Sequence, residues 1–206
     1  MKQQNMFFDF DGMKFDTMPA QVEYINHRYN INTTAYDHVG HNNNLDLIVK
    51  KHRPDITMTR NEIYHDFGIN FISSIEWHKN VQPMKDMPRV VKELSKKLNL
   101  FIATGRQKRG LHVIQHLLTK HVPGCISLVH CVWEPNESGS FDGVSKRDFI
   151  SKIPGENIAF FDDSMHEIED TKDIIPSYLF DPWEVHLNTE GILRVESWQK
   201  IGDLFL

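Results

Sequence analysis

Two aspartates, Asp9 and Asp11, lie two residues apart in the segment FFDFDG at positions 7–12. The apolar start of this segment predicts a buried strand. Side chains two residues apart on a strand point to the same side, and Gly12 permits a tight turn after them. Two neighbouring carboxylates repel each other unless a cation lies between them. The pair therefore indicates a site for a cation and for acid–base chemistry, although two solvated acids at a strand end would have the same pattern.

Three further segments carry reactive side chains where predicted strands end or predicted helices begin. They are Thr104, Gly105 and Arg106 after the apolar run 98–103, Lys146 in the predicted helix 145–153, and Asp162 and Asp163 after the run 158–161. In doubly wound α/β sheets, ligands bind outside the carboxyl ends of the strands. We therefore expect all four segments to meet in one crevice.

The elements that must position these residues follow two different patterns. Residues 18–82 have helical periodicity and no convincing strand, with a capping-box pattern from Thr59 to Glu62. Beyond residue 82, strands and helices alternate, which predicts an α/β fold with a doubly wound parallel sheet covered on both faces. The polar stretches 30–44 and 136–143 predict loops.

These residue types suit phosphoryl transfer. A carboxylate is a competent nucleophile toward phosphorus, and a second carboxylate can protonate the leaving oxygen and later deprotonate water. A hydroxyl and backbone N–H groups bind phosphate oxygens, and a lysine neutralises the charge on the transferring group. A further pair of acids provides the oxygen ligands that Mg²⁺ prefers.

In the order and approximate spacing of these segments, the whole chain resembles the haloacid dehalogenase (HAD) superfamily of phosphatases. The segments that carry the resemblance are 7–12 (FFDFDG), 101–106 (FIATGR), 145–146 (SK) and 158–163 (IAFFDD). The resemblance implies a Rossmann-like core built from residues 1–17 and 83–206. It also implies a small helical cap, residues 18–82, inserted after the first strand.

The resemblance implies a role for each matching residue. Asp9 would be the nucleophile and a metal ligand, and Asp11 the general acid/base, with its carbonyl also on the metal. Thr104, Gly105 and Lys146 would hold the phosphate, and Asp162 would bind Mg²⁺. Arg106 and Asp163 would support them, with Asp163 on the metal directly, through water, or holding Lys146.

The finer resemblance is to the 5'(3')-deoxyribonucleotidase-like branch, through residues 75–83, 179–183 and 194–198. It implies a 5'-nucleotidase for (deoxy)nucleoside monophosphates, with Trp77 and Phe71 either stacking on the base or forming cap core. The alternatives are a HAD phosphatase for another small phosphorylated metabolite and a low-turnover HAD-like binding or regulatory protein. A phosphoacceptor receiver domain is disfavoured, because its acceptor aspartate lies farther along the chain and it has no cap.

Bulk properties narrow the partners. The 206 residues, 40% hydrophobic with a net charge of -5, have an ordinary globular composition and give no sign of a nucleic-acid-coating surface. No apolar stretch is long enough for a membrane span, and the first predicted strand begins too early for a leader. Cys125 and Cys131 have no metal-ligand spacing and favour a reduced compartment. We therefore expect a cytoplasmic protein acting on a small phosphorylated substrate.

Overall fold

The computed structural model describes residues 4–40, 44–135, 141–186 and 189–206. Its strands are β1 (Gln4–Phe8), β2 (Asn99–Gln107), β3 (Leu128–Pro135), β4 (Phe141–Asp142), β5 (Glu156–Asp162), β6 (Ser177–Phe180) and β7 (Leu193–Val195). They form one sheet in the order β4-β3-β2-β1-β5-β6-β7. All neighbouring strands are parallel except β4, which pairs antiparallel with β3. The predicted α/β class with a parallel sheet is confirmed.

Helices cover both faces of this sheet. Those of the core are α6 (Met87–Leu94), α7 (Leu111–His121), α8 (Lys146–Lys152), α9 (Met165–Thr171) and α10 (Trp198–Phe205). Along β1, the side chains of Met6 and Phe8 pack with α6, α7 and α10, whereas Phe7 packs with α8 and α9 on the opposite face. The strand period of two thus divides one apolar run between two buried layers.

The segment between β1 and α6 is helical. It contains α1 (Met18–Tyr29), α2 (Ala35–Gly40), α3 (Leu45–His52), α4 (Arg60–Phe67), a π-helical turn (Gly68–Ile72) and α5 (Ile75–His78). This helical insert has its own apolar cluster, which includes Tyr24, Ile63 and Phe71. The capping box at the start of α4 is confirmed, with Thr59 and Glu62 each accepting a hydrogen bond from the other's backbone N–H.

Several elements differ from the sequence-based prediction. The predicted loop 30–44 contains α2, and residues 41–43 lie outside the described residues. Residues 136–140 of the other predicted loop also lie outside them, while 141–142 form β4. The helices α9 and α10 and the strand β7 were not predicted, because short amphipathic stretches give weak periodicity.

In the described part of the chain, no helix is both long and apolar enough to cross a membrane.

Candidate active site

Asp9 lies at the carboxyl end of β1, the central strand of the sheet. Its backbone N–H donates to the carbonyl of Phe161 on β5 at 2.8 Å, which continues the parallel ladder one residue beyond β1. Because β2 and β5 flank β1, the residues that follow these three strands lie side by side. Gly12 then turns the chain with a φ of 65°, and a Cβ there would collide with the carboxylate of Asp163. Only glycine fits this turn.

Lys146 is a buried cation that joins two of the strand ends. It occupies the first turn of α8, where Ser145 caps the helix by accepting from the N–H of Asp148 at 3.0 Å. The Lys146 Nζ lies 2.9 Å from Asp9 Oδ1 and 2.6 Å from Asp162 Oδ2. The other oxygen of Asp162 accepts from the N–H of Ser164. It is therefore Asp162, rather than Asp163, that holds Lys146.

The acids at this edge repel one another in a site removed from water. Burial, with the charges of Asp162 and Asp11 adding to it, raises the pKa of Asp9 to about 7 despite the opposing ion pair with Lys146. Burial, together with the charges of Asp162 and Asp9, also raises the pKa of Asp163 well above its usual value. For Lys146 burial acts in the opposite direction, but the carboxylates of Asp162 and Asp9 raise its pKa above the usual value. The lysine is thus protonated, and the raised pKa values of Asp9 and Asp163 reflect a repulsion among the acids that a bound cation would relieve.

Asp11 is held in a different way. Arg106 donates from Nε and Nη2 to the two oxygens of Asp11 at 2.7 and 2.8 Å, and Thr17 Oγ1 donates to Asp11 Oδ1 at 2.7 Å. Although burial alone would raise the pKa of Asp11, the Arg106 guanidinium lowers it below its usual value. In this arrangement Asp11 is an ionised carboxylate.

Thr104 and Gly105 lie at an irregular strand end rather than at a helix start. β2 continues to Gln107, and its pairing with β3 shifts register between Thr104 and Gln107. Thr104 is fully buried, and its hydroxyl accepts from the N–H of Arg106 at 3.3 Å. The register shift brings Thr104, Gly105 and Arg106 all to the cavity described next.

A cavity of about 670 Å³ covers these strand ends. On the core side it is lined by Asp9, Asp11, Thr104, Gly105, Arg106, Gln107, Trp133, Lys146, Asp162, Asp163, Ser164 and Glu167. On the insert side it is lined by Gln21, Leu45, Arg60, Asn61, Tyr64, Phe67, Phe71 and Ile72. The predicted convergence of the four segments is thus observed, and the helical insert supplies most of the aromatic part of the wall.

The two aromatic residues predicted either to stack on a base or to form cap core have different positions. Phe71 is buried, stacks on Phe67 with ring centroids 4.8 Å apart, and lines the cavity. Trp77 does not line it: its ring packs edge-on against Tyr24 and borders a separate cavity beside Asp16. Of the two alternatives for Trp77, its position favours packing within the insert, because the short helix α5 turns this side chain back toward α1.

The chemistry of the four aspartates at the strand ends bears on whether they can hold Mg²⁺. Among the described residues, no three side chains of the types His, Cys, Asp or Glu form a ready-made metal-binding set. Lys146 pairs with Asp9 and Asp162, and Arg106 pairs with Asp11. When all four aspartates are ionised, two negative charges therefore remain for a divalent cation to balance. Mg²⁺ needs only one or two carboxylates when water and phosphate oxygens complete its shell. The donor chemistry therefore fits Mg²⁺, and Asp9 and Asp163 both line the cavity where it would bind.

Sequence reasoning missed several residues of this site. Thr17, Tyr64, Gln107 and Trp133 are examples, and His78 contacts Arg106 from α5. They carry no motif, since each reaches the site through tertiary packing. Of the residues missed, Glu167 was the easiest to predict from the sequence. It lies five residues after Asp162, in the first turn of a helix, where an acid can face the same strand end.

The fold is a doubly wound α/β sheet with acids at the carboxyl ends of its strands, and solved structures of HAD hydrolases share this fold. No protein-family model matches the sequence, and comparison with curated proteins finds no significant match. The solved structures that share the fold include a haloacid dehalogenase-like hydrolase from Streptococcus pneumoniae, with a TM-score of 0.66 and 13% identity over 99% of each chain. A HAD-superfamily hydrolase of subfamily IA from Geobacter sulfurreducens has a TM-score of 0.61 and 15% identity, over 99% of this chain and 97% of that one.

A third similar structure bears on the cofactor. It is a protein from Bacillus subtilis, described as a HAD hydrolase and solved bound to magnesium, with a TM-score of 0.64 and 13% identity. The match covers 100% of this chain and 99% of that chain. At these identities the comparisons establish the HAD fold over the whole chain.

Proposed function

We propose that this protein is a Mg²⁺-dependent phosphomonoesterase that works through an aspartyl-phosphate on Asp9. The observation that carries the proposal is the buried group of Asp9, Lys146 and Asp162, with Asp11 beside it, at the carboxyl edge of a HAD-type sheet. In this proposal residues 18–82 act as a cap, because the helical insert forms the wall of the cavity opposite the acids.

In the first half-reaction an oxygen of Asp9 attacks phosphorus. The bond from phosphorus to the ester oxygen breaks, and the departing oxygen takes a proton from the carboxyl group of Asp11. Lys146 and the hydroxyl of Thr104 hold phosphoryl oxygens and offset their charge. For this step Asp11 must carry a proton on one carboxyl oxygen, while the other oxygen keeps accepting from Arg106, which holds the carboxyl group in place.

In the second half-reaction water attacks the phosphorus of the aspartyl-phosphate. Asp11, now a carboxylate, accepts the proton of the water, the bond to Asp9 breaks, and inorganic phosphate leaves. The contacts from Arg106 and Thr17 stabilise the ionised form of Asp11 that this step requires. The resting arrangement of Asp11 therefore suits the hydrolysis of the intermediate.

A bound Mg²⁺ would polarise the phosphoryl group and neutralise its charge. Asp9, Asp163 and the backbone carbonyl of Asp11 would hold it. This assignment differs from the sequence-based one in replacing Asp162 with Asp163. Both oxygens of Asp162 already accept hydrogen bonds, from Lys146 and from Ser164, whereas the structure gives Asp163 no hydrogen-bonding partner in the described part of the chain.

We further propose (deoxy)nucleoside monophosphates as the substrates. The cavity volume suits a ligand of that size. Tyr64 and Trp133 provide aromatic surface for a base, while Asn61 and Gln107 provide amide groups. This specificity is independent of the chemical mechanism, since another small phosphomonoester would use the same four aspartates.

The direct test measures phosphate release from a panel of nucleoside and deoxynucleoside monophosphates, alkyl phosphates and p-nitrophenyl phosphate. We expect turnover with Mg²⁺, none in EDTA and little with Ca²⁺, because Ca²⁺ takes more ligands at longer distances. Asp9→Asn should abolish turnover and leave the melting temperature near that of the wild type, since an amide is no nucleophile toward phosphorus.

Two results would contradict this proposal. Full activity in EDTA would remove the metal from the mechanism. Turnover by Asp9→Asn above a few per cent of the wild-type rate would remove Asp9 as the nucleophile. Activity confined to phosphomonoesters without a base would leave the phosphatase assignment intact and reject the nucleotide preference.

A further inference from the structure

His78 makes a buried polar contact that the proposed mechanism does not use. It lies on α5, at the end of the helical insert, and its side chain is fully buried. Its Nδ1 is 2.8 Å from the carbonyl of Ser74, and its Nε2 is 3.0 Å from Arg106 Nη2. A carbonyl only accepts and a guanidinium only donates, so Nδ1 carries the proton and Nε2 accepts from Arg106.

This contact completes the surroundings of Arg106. Arg106 is 4% exposed, so water cannot readily replace a lost partner of its guanidinium. Its Nε and Nη2 bind Asp11, its Nη2 also donates to His78, and its buried Nη1 has no hydrogen-bonding partner among the described residues. The guanidinium lies 5.0 Å from the centre of the Phe10 ring. His78 is thus the polar group that fixes Arg106 on the side away from Asp11.

We propose that His78 is a positioning residue: it holds the Arg106 guanidinium in the orientation that places the Asp11 carboxylate for proton transfer. Through this contact, the end of the helical insert determines where the general acid/base lies. The inference rests on the proposed phosphomonoesterase function. It adds a role for a residue 28 positions before Arg106 in the chain, on a different element.

The volume around His78 allows a matched pair of variants. The Phe71 ring lies tilted against the His78 ring with centroids 4.7 Å apart, so His78→Phe keeps an aromatic ring there but offers Arg106 no acceptor. His78→Gln retains an acceptor for Arg106 and a donor for the carbonyl of Ser74. If His78 acts only by filling space, Phe should be the better substitute; if it acts by accepting from Arg106, Gln should be.

The readout is the dependence of kcat/KM on the leaving group. This ratio reports the first half-reaction, whereas kcat also includes hydrolysis of the aspartyl-phosphate, which is the same step for every ester. An alkyl leaving group needs a proton from Asp11, whereas p-nitrophenolate barely does. We expect His78→Phe to lower kcat/KM on an alkyl phosphate by about tenfold to hundredfold, as misplaced catalytic groups do. On p-nitrophenyl phosphate we expect a loss in kcat/KM of less than about threefold. His78→Gln should recover most of the loss.

A double-mutant cycle tests whether the effect passes through Arg106. Arg106→Lys cannot bind Asp11 through two nitrogens and His78 at the same time. In that background His78→Phe should add little, because the contact it removes is already absent. Ile63→Ala, in the apolar cluster of the insert and away from Arg106, is the control for lost stability. It should affect both substrates alike.

The outcomes separate this inference from the function on which it rests. A wild-type protein with no phosphatase activity would reject both. An active wild type in which His78→Phe lowers kcat/KM equally on both esters, or in which Phe substitutes better than Gln, would overturn the positioning role alone. Should His78→Phe not fold, His78→Leu takes its place with the same expectation, since leucine also lacks an acceptor.

Discussion

At the scale of single residues, two buried lysines have opposite surroundings. Lys146 contacts two carboxylates, which raise its pKa. Lys14 is also fully buried, but its Nζ has no hydrogen-bonding partner in the described part of the chain and lies over the rings of Phe8 and Trp198 at 3.6 and 4.8 Å. Burial lowers the pKa of Lys14 well below its ordinary value of 10.5. The pKa values of the two lysines thus shift in opposite directions, because one has carboxylates beside it and the other has aromatic rings.

The first prediction concerns Lys14→Met, a change of similar length that removes the amine. An unpaired buried polar group costs about 1–3 kcal/mol, so the free energy of unfolding at pH 7 should increase by about that amount. In the wild type, at pH values between the lowered pKa of the folded Lys14 and 10.5, the unfolded chain binds a proton that the folded chain lacks. Stability should therefore rise with pH from the lowered pKa of Lys14 up to 10.5, and this rise should shrink in the variant.

Denaturant unfolding at pH 7 and pH 9 measures both effects. Lys92→Met, at an exposed position on α6, is the matched control and should change stability by less than about 0.5 kcal/mol. If Lys14→Met is no more stable than the wild type, or shows the same rise with pH, then the buried amine is charged and stabilised in the fold.

At the scale of elements, the end of the helical insert packs closely on the core. The π-helical turn Gly68–Ile72 lies against the 3₁₀ turn Lys108–Gly110, where a Cβ on Gly110 would lie 2.6 Å from Ile72 Cγ2 and 3.0 Å from its carbonyl oxygen. One residue further along the insert, the carbonyl of Ser73 lies 2.9 Å from His112 Nε2 on α7. This seam aligns α5, and with it His78, with the end of β2.

The second prediction tests this seam with Gly110→Ala. The methyl group has no space, so the variant should lose about 1–3 kcal/mol of stability. Gly202→Ala in α10 is the opposite case. Its methyl would lie 3.4 Å from the nearest atom, so helix propensity should dominate and stability should be unchanged or rise by up to about 1 kcal/mol.

Thermal or chemical unfolding of both glycine variants provides the measurement. Equal stability changes in the two would show that the insert yields at Gly110 without cost, and that the close contact with Ile72 has no role in fixing α5.

At the scale of the whole molecule, the cavity is formed jointly by core and insert. The core contributes the acids and Lys146, and the insert contributes aromatic side chains. Tyr64 is held in this wall, since its hydroxyl accepts from the N–H of Leu45 at 3.3 Å and the guanidinium of Arg60 lies 5.4 Å from its ring centre. In the proposed function, the core would carry out the reaction, and the insert together with Trp133 would contact the rest of the substrate.

The third prediction is that Tyr64→Ala changes substrate selectivity. Stacking of a base on an aromatic ring contributes about 1–3 kcal/mol, so kcat/KM for a nucleoside monophosphate should fall by about tenfold or more. The value for p-nitrophenyl phosphate should change much less. Tyr64→Phe keeps the ring and should behave almost as the wild type does.

Trp77→Ala is the comparison for that prediction, because Trp77 packs on Tyr24 outside the cavity. It should lower the free energy of unfolding by at most about 3–5 kcal/mol, and the melting temperature with it. The activity on all substrates should fall alike. A selective loss of nucleotide activity in Trp77→Ala, with none in Tyr64→Ala, would show that the base binds on the other side of the insert.

The sequence by itself predicted a parallel sheet covered by helices on both faces and the meeting of the four motifs at one edge of that sheet. These follow from local periodicity and from the rule that the carboxyl ends of parallel strands share one edge. Only the tertiary structure decided which acid pairs with Lys146, that Arg106 binds Asp11, and that His78 rather than Trp77 reaches the site. The physical reason is that such pairings depend on which side chains are excluded from water together. That exclusion arises when the insert packs on the core, and no spacing along the chain records it.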